Sequence, residues 1–153
     1  MATFQWLGPA LVNQYNGGTA VDWDTDVVAG SGGSIRMGLY TASWTPNPDT
    51  HFTVMDVGTA NEVSGSGYNV NGTVIPTRSV NIDGGNNRVG LLGGDVLWGT
   101  ATIASIRYAV VYRFSGTAPT SPLLCYADLG AQSVTAANFT VDITNGTVAY
   151  LTY

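Results

Sequence analysis

The chain contains no lysine, one histidine and one cysteine, and only 10% of its 153 residues are charged. Each shortage removes a class of chemistry. A structural zinc site needs four nitrogen or sulfur ligands, which one Cys and one His cannot supply. Cys125 has no partner in the chain, so no internal disulfide forms; its neighbours Leu123, Leu124 and Tyr126 mark it as a small buried thiol. Five scattered arginines (Arg36, Arg78, Arg88, Arg107, Arg113) against ten carboxylates give a net charge of −5 and a pI near 4.3. That balance leaves no basic track for nucleic acid and disfavours an anionic membrane surface. The glycine clusters Gly30-Ser31-Gly32-Gly33 and Gly93-Gly94 are not followed by the Lys-Ser/Thr of a phosphate loop. No run approaches the roughly 18 apolar residues of a membrane helix. The opening stretch, Met1 to Gly8, lacks the basic and apolar regions of a signal peptide, so the expected site of synthesis and use is a cytoplasm.

What is present is the material of short strands and tight turns: Gly, Thr, Asn, Val and aromatics. Hydrophobic content of 44% and a mean hydropathy of +0.13 supply a core and leave apolar surface over. Helical signals are nearly absent, because no segment holds a 3.6-residue apolar period for long. Strands are predicted at residues 34–41, 73–82, 88–92, 95–98, 103–114 and 122–129, most of them short. In the longest, Ile106, Tyr108, Val110 and Tyr112 are expected on one face and Arg107, Ala109, Val111 and Arg113 on the other. Asn145-Gly146 between apolar runs 139–143 and 147–153 predicts a two-residue hairpin, since both turn residues can take positive φ. This spacing of strands and turns predicts an all-β fold, an antiparallel sandwich or barrel-like domain over residues 21–153. Residues 1–20 read as an N-terminal arm or edge strand. Residues 42–68 read as one long loop of the length that usually carries function.

Few constellations could carry chemistry. Asp22, Asp24 and Asp26 alternate as at the start of a calcium loop, but Val27 stands where that loop needs Gly and Gly33 where it needs Glu. They remain a weak metal candidate, the alternative being an acidic strand entry with Trp23 turned into the core. His51, after Asn47-Pro48-Asp49, has neighbouring hydroxyls but no nucleophile elbow, and reads as a turn residue capped by Asp49. No cofactor-binding pattern and no catalytic set emerges, and the chain is expected not to be an enzyme. Aromatics in the long loop, Trp44 and Phe52, are candidates for contact with a partner, because interface centres are rich in such side chains.

Several stretches carry a family resemblance: residues 22–26, Leu39-Tyr40-Thr41, residues 44–51, 61–68, Asp95-Val96-Leu97-Trp98, 107–112 and 120–124. Together they resemble small virion-associated proteins of tailed bacteriophages, in the same order over roughly residues 20–145. The resemblance implies a role on the capsid exterior, decorating or cementing the shell by binding the major capsid protein, after assembly in the host cytoplasm. With that role a small oligomer, a homotrimer, is expected, and the apolar residues Phe4, Trp6 and Leu7 of the arm join Trp44 and Phe52 as contact candidates. A tail or fibre module that binds a receptor or glycan is the second role that it implies.

Overall fold

The computed structural model describes residues 2–15, 21–24 and 35–152. It is an all-β, sandwich-like fold of two antiparallel sheets, and neither sheet closes into a barrel. The larger sheet is built on two long strands, β7 (Val96–Arg113) and β8 (Leu123–Val141), which form one continuous antiparallel ribbon. Around them lie β1 (Gln5–Trp6) on the outer edge of β8, β2 (Ile35–Tyr40) on β7, β3 (Gly65–Ser66) further along β7, and β4 (Thr73–Val74) on β2. The smaller sheet has the order β5 (Ser79–Asp83), β6 (Arg88–Leu92), β9 (Thr147–Thr152). Two α-helices, α1 (Gly8–Tyr15) and the single turn α2 (Val54–Val57), and three short 3-10 turns complete the described elements. No helix among the described residues is long and apolar enough to cross a membrane.

Each face of the larger sheet buries its own cluster. Ile35, Met37 and Leu39 of β2 and Ala109 and Val111 of β7 point to one side, where Leu91, Val148 and Ala149 of the smaller sheet meet them. Tyr40, Val110, Tyr112 and Leu123 point to the other side, against Leu7, Trp44, Val54 and Val57. Full burial of side chains such as Met37 or Ile103 contributes roughly 1.5–3 kcal/mol each. The central stretch of β7 is therefore buried on both faces.

Strict alternation fails along β7, and the failure shapes the fold. The inward residues are Val96, Trp98, Ala101, Ile103, Ile106, Ala109 and Val111, with extra residues inserted where the register shifts. Thr100 and Ser105 take positive φ (49° and 59°) beside two of these shifts. A bulge bends a strand and increases its twist while returning the same face to the core. It also corrects the expected face pattern, since Ile106 lies on the opposite side from Tyr108, Val110 and Tyr112.

The bend is large. Ala2 bridges Ile143, while Gln5 and Trp6 pair with Tyr126 and Cys125. Residues 126–143 have a contour length of about 55 Å as extended chain. Residues 2–5 can span only about 11 Å, so the ends of β8 approach within roughly 20 Å. The ribbon curls around the first core cluster, and residues 2–6 tie its ends together. Trp6 Nε1 also donates to the Tyr150 carbonyl at 2.6 Å, which fastens this segment to β9 of the smaller sheet.

The expected hairpin at Asn145-Gly146 is corrected. Both residues do take positive φ (53° and 69°), so the turn chemistry holds. The strands beside it belong to different sheets: β8 ends on β7, and β9 pairs with β6. The turn carries the chain across the sandwich. Residues 42–68 are likewise no open loop. They hold α2, a 3-10 turn and β3, and they cover the part of the β2 edge that lies beyond β4. Val63 N–H donates to the Leu39 carbonyl (3.0 Å), and the Leu39 N–H donates to the Tyr68 hydroxyl (3.0 Å), which in turn donates to Glu62 (2.7 Å). Burial raises the Glu62 carboxyl above its ordinary value, against the bonds from Tyr68 and the Asn71 N–H.

The hydroxyls of Tyr40 and Tyr112, in contrast, are buried without a hydrogen-bond partner. Tyr68→Phe is expected to cost about 1–3 kcal/mol, because it strips a buried N–H of its acceptor. Tyr112→Phe is expected to change stability by less than about 0.5 kcal/mol or to stabilise, because no bond is lost. Urea unfolding of the two variants checks the contrast.

Candidate interaction surface

The residues singled out from sequence separate into buried and accessible groups. Leu7 is fully buried and Trp44 is 3% exposed, so neither is available to a partner in this structure. That corrects both expectations, and the cause is packing. Leu7 follows the edge strand β1 and drops into the second core cluster. Trp44 sits at the centre of a ring cluster: Tyr108 and Tyr126 meet it edge-on at 5.2 and 5.7 Å, and Tyr40 lies tilted at 6.2 Å. Phe4 and Trp6 are partly buried against the first cluster. Phe52 remains at the surface, 46% exposed, with Met55 beside it in the chain at 61%.

The turn that presents Phe52 and Met55 is rigidly built. Asp56 Oδ2 accepts from the N–H groups of Phe52 (2.9 Å) and Thr53 (2.8 Å) and from the Thr53 hydroxyl (3.2 Å), which caps α2. Slight burial works to raise the Asp56 carboxyl; the Thr53 and Phe52 N–H groups outweigh it and hold the group below its usual value. Val54 and Val57 on the opposite side of the turn are buried. The apolar pair therefore stands on a fixed base.

His51 has a structural place. Its Nδ1 accepts from Trp44 Nε1 and from the Asn47 N–H, both at 3.2 Å, and its ring stacks on Trp44 at 5.9 Å. With Nδ1 accepting twice, the neutral ring carries its proton on Nε2. The turn before it is capped by Asn47 Oδ1, which accepts from the Asp49 N–H (3.1 Å), rather than by Asp49 as expected. Of the metal candidates, Asp22 and Asp24 are exposed, and Asp26 lies outside the described residues. Trp23 between them is buried, its Nε1 donating to the Leu92 carbonyl at 2.7 Å. Among the described residues no three His, Cys, Asp or Glu side chains gather as a metal would require. Cys125 is fully buried, and burial pushes its thiol far above the ordinary range, which leaves it unreactive.

Two surface features were missed from sequence. Tyr108 and Tyr126, both partly exposed, meet edge-on at 6.4 Å beside an ion pair of Arg107 with Asp128 (2.6 Å). The second is the outer edge of β8. Past the two residues paired with β1 it has no neighbouring strand among the described residues, and from Leu129 to Val141 it carries no charge and no proline. Natural sheets usually protect such an edge with charge, proline or a covering element. The charge-free interval between Asp128 and Asp142 was the readable signal for it.

No protein-family model matches the chain, and neither curated proteins nor solved structures give a match.

His51→Ala is expected to cost about 1–3 kcal/mol, because it removes the acceptor of a nearly buried indole N–H and the ring stacked on it. Thermal unfolding followed by Trp fluorescence reads both the loss and the freed indole.

Proposed function

We propose that the chain is a non-catalytic structural component of a tailed-bacteriophage particle, seated on the capsid exterior as a decoration or cement protein. In this reading it binds the major capsid protein as a homotrimer and ties neighbouring shell subunits together. The observation that carries it is Phe52 and Met55, exposed on a turn that is capped and packed from behind. Large apolar side chains held rigidly at the surface contribute to binding with little ordering cost. A chain with 10% charge, well below the roughly 25% of ordinary soluble domains, also resembles an interface core, where charge is depleted. The likeness of residues 22–26, 44–51 and 107–112 to virion-associated proteins supports the same reading. Symmetric copies on a repeating shell would make weak single contacts effective together.

Particles lacking the protein are expected to take it up at a copy number comparable to that of the major shell subunit. Phe52→Ser with Met55→Ser is expected to weaken retention by about tenfold or more. The same pair should leave the melting temperature nearly unchanged, as surface substitutions do. Co-sedimentation with particles, beside a melting curve, checks both. Uptake at a handful of copies, or undiminished retention, would overturn the reading.

The pair Tyr108 and Tyr126 beside Arg107 and Asp128 favours a second reading, a tail or fibre module that binds a receptor or glycan by ring stacking. In that form, calcium at Asp22, Asp24 and Asp26 would add to stability. A chelator is expected to leave the melting temperature of the decoration protein unchanged, whereas a fall of several degrees would favour the module.

A further inference from the structure

The curl of the β7–β8 ribbon leaves a cleft of about 250 Å³ at the β8 rim, lined by Leu129, Gln132, Phe139, Val141, Asp128 and Asp142 among others. Its wall is partly apolar, and two carboxylates stand at it. The two are not equivalent. Asp128 is committed, with one oxygen on Arg107 (2.6 Å) and the other accepting from the Gly130 N–H (2.8 Å). Asp142 is exposed, and its carboxylate has no ion-pair or hydrogen-bond partner among the described residues. The cleft thus carries one uncompensated negative charge beside an apolar wall. Along it runs the charge-free edge of β8, which has no partner strand among the described residues and where the Gln132 side chain donates to the Leu129 carbonyl (3.2 Å).

We infer that this rim docks an extended segment of a different protein, which adds a short strand to β8 and seats a Lys or Arg side chain in the cleft. The backbone edge supplies the main-chain bonds of strand addition, and alternate side-chain sites supply selectivity. A basic side chain fits both parts of the cleft, since its methylene stem covers apolar surface while its head reaches a carboxylate. A second copy of this chain is the wrong occupant, on charge. It has no lysine, and all five arginines are already engaged. Arg107 pairs with Asp128, and Arg88 pairs with Asp83 at 2.8 Å. Arg78 donates to the carbonyls of Trp23 and Ile75, Arg36 lies 4.2 Å over the Phe114 ring, and Arg113 also has a partner. The complementary cation must come from elsewhere. The inference requires only that the partner be a polypeptide, so it stands or falls separately from the capsid reading.

The test uses the intact chain and a short capped peptide of alternating Thr and Val with one central Arg, followed by amide NMR shifts. A matched peptide with central Glu is the control. Shifts confined to residues 128–132 and 139–142 with the Arg peptide, and absent with the Glu peptide, are expected. Asp142→Asn should weaken binding by about tenfold with an unchanged melting temperature, the loss of one charge-assisted hydrogen bond. Asp142→Arg should reverse the preference toward the Glu peptide. Equal response to both peptides, shifts located elsewhere, no binding by either, or shifts at residues 128–132 and 139–142 on raising the concentration of the chain alone would each overturn the inference.

Discussion

The tie between residues 2–6 and both ends of β8 is the constraint on which the rest of the structure rests. A two-stranded ribbon as long as β7–β8 would otherwise be a flat, two-faced object with too little to bury. Bulges at Thr100 and Ser105 let it curl while Val96, Trp98, Ala101, Ile103 and Ile106 stay inward. The tie then holds the curl closed. It spans the gap between the β8 edge of one sheet and the β9 edge of the other, through the backbone pairing at Gln5 and Trp6 and the indole bond to Tyr150. The first core cluster exists because its walls are held at that spacing.

The edge of β2 follows a different logic. There side chains do what strands do elsewhere. Tyr68 supplies the acceptor that the Leu39 N–H lacks, Glu62 accepts the hydrogen bond of the Tyr68 hydroxyl, and Asn61 and Val63 complete the edge of β2 through their backbones. Trp44 anchors this cover through its rings, and His51 satisfies its indole N–H. A chain short of charge cannot fix a loop with ion pairs, so rings and hydroxyls take that duty. Packing is tight beside it: a Cβ at Gly38 would lie 3.0 Å from the Tyr40 ring and 3.3 Å from that of Tyr112.

This division explains what could be read from the sequence. In the strand predicted at 34–41 the alternate residues Ile35, Met37 and Leu39 share the inward face, because β2 is regular. The same rule misassigned Ile106, because bulges insert residues that a period of two cannot register. Asn145-Gly146 announced its positive φ values correctly, yet the pairing of the flanking strands depends on which sheet each joins, a long-range fact. Helix α1 was hidden in an eight-residue segment with proline and glycine at its start, too short for a period to show. Trp44 was misplaced for a related reason. Aromatic content marks a residue as valuable for packing without saying whether the partner is its own chain or another. Only Phe52, of the two aromatics picked in the loop, faces outward.

Charge economy links the fold to the surface. Every arginine already has a partner within the molecule, while carboxylates outnumber them two to one. The remaining negative charge is thus a property of the surface alone, and it acts between copies as repulsion. At the β8 rim this matters most, because a charge-free backbone edge is the kind of feature through which chains aggregate. Asp128 and Asp142 bracket that edge. An approaching second copy brings a net charge of −5 to a rim that already carries the uncompensated Asp142. A basic strand meets no such obstacle and gains from both the edge and the charge. The same two residues can therefore leave the edge open and still make it selective, which is how an unprotected strand remains compatible with a folded, separate chain.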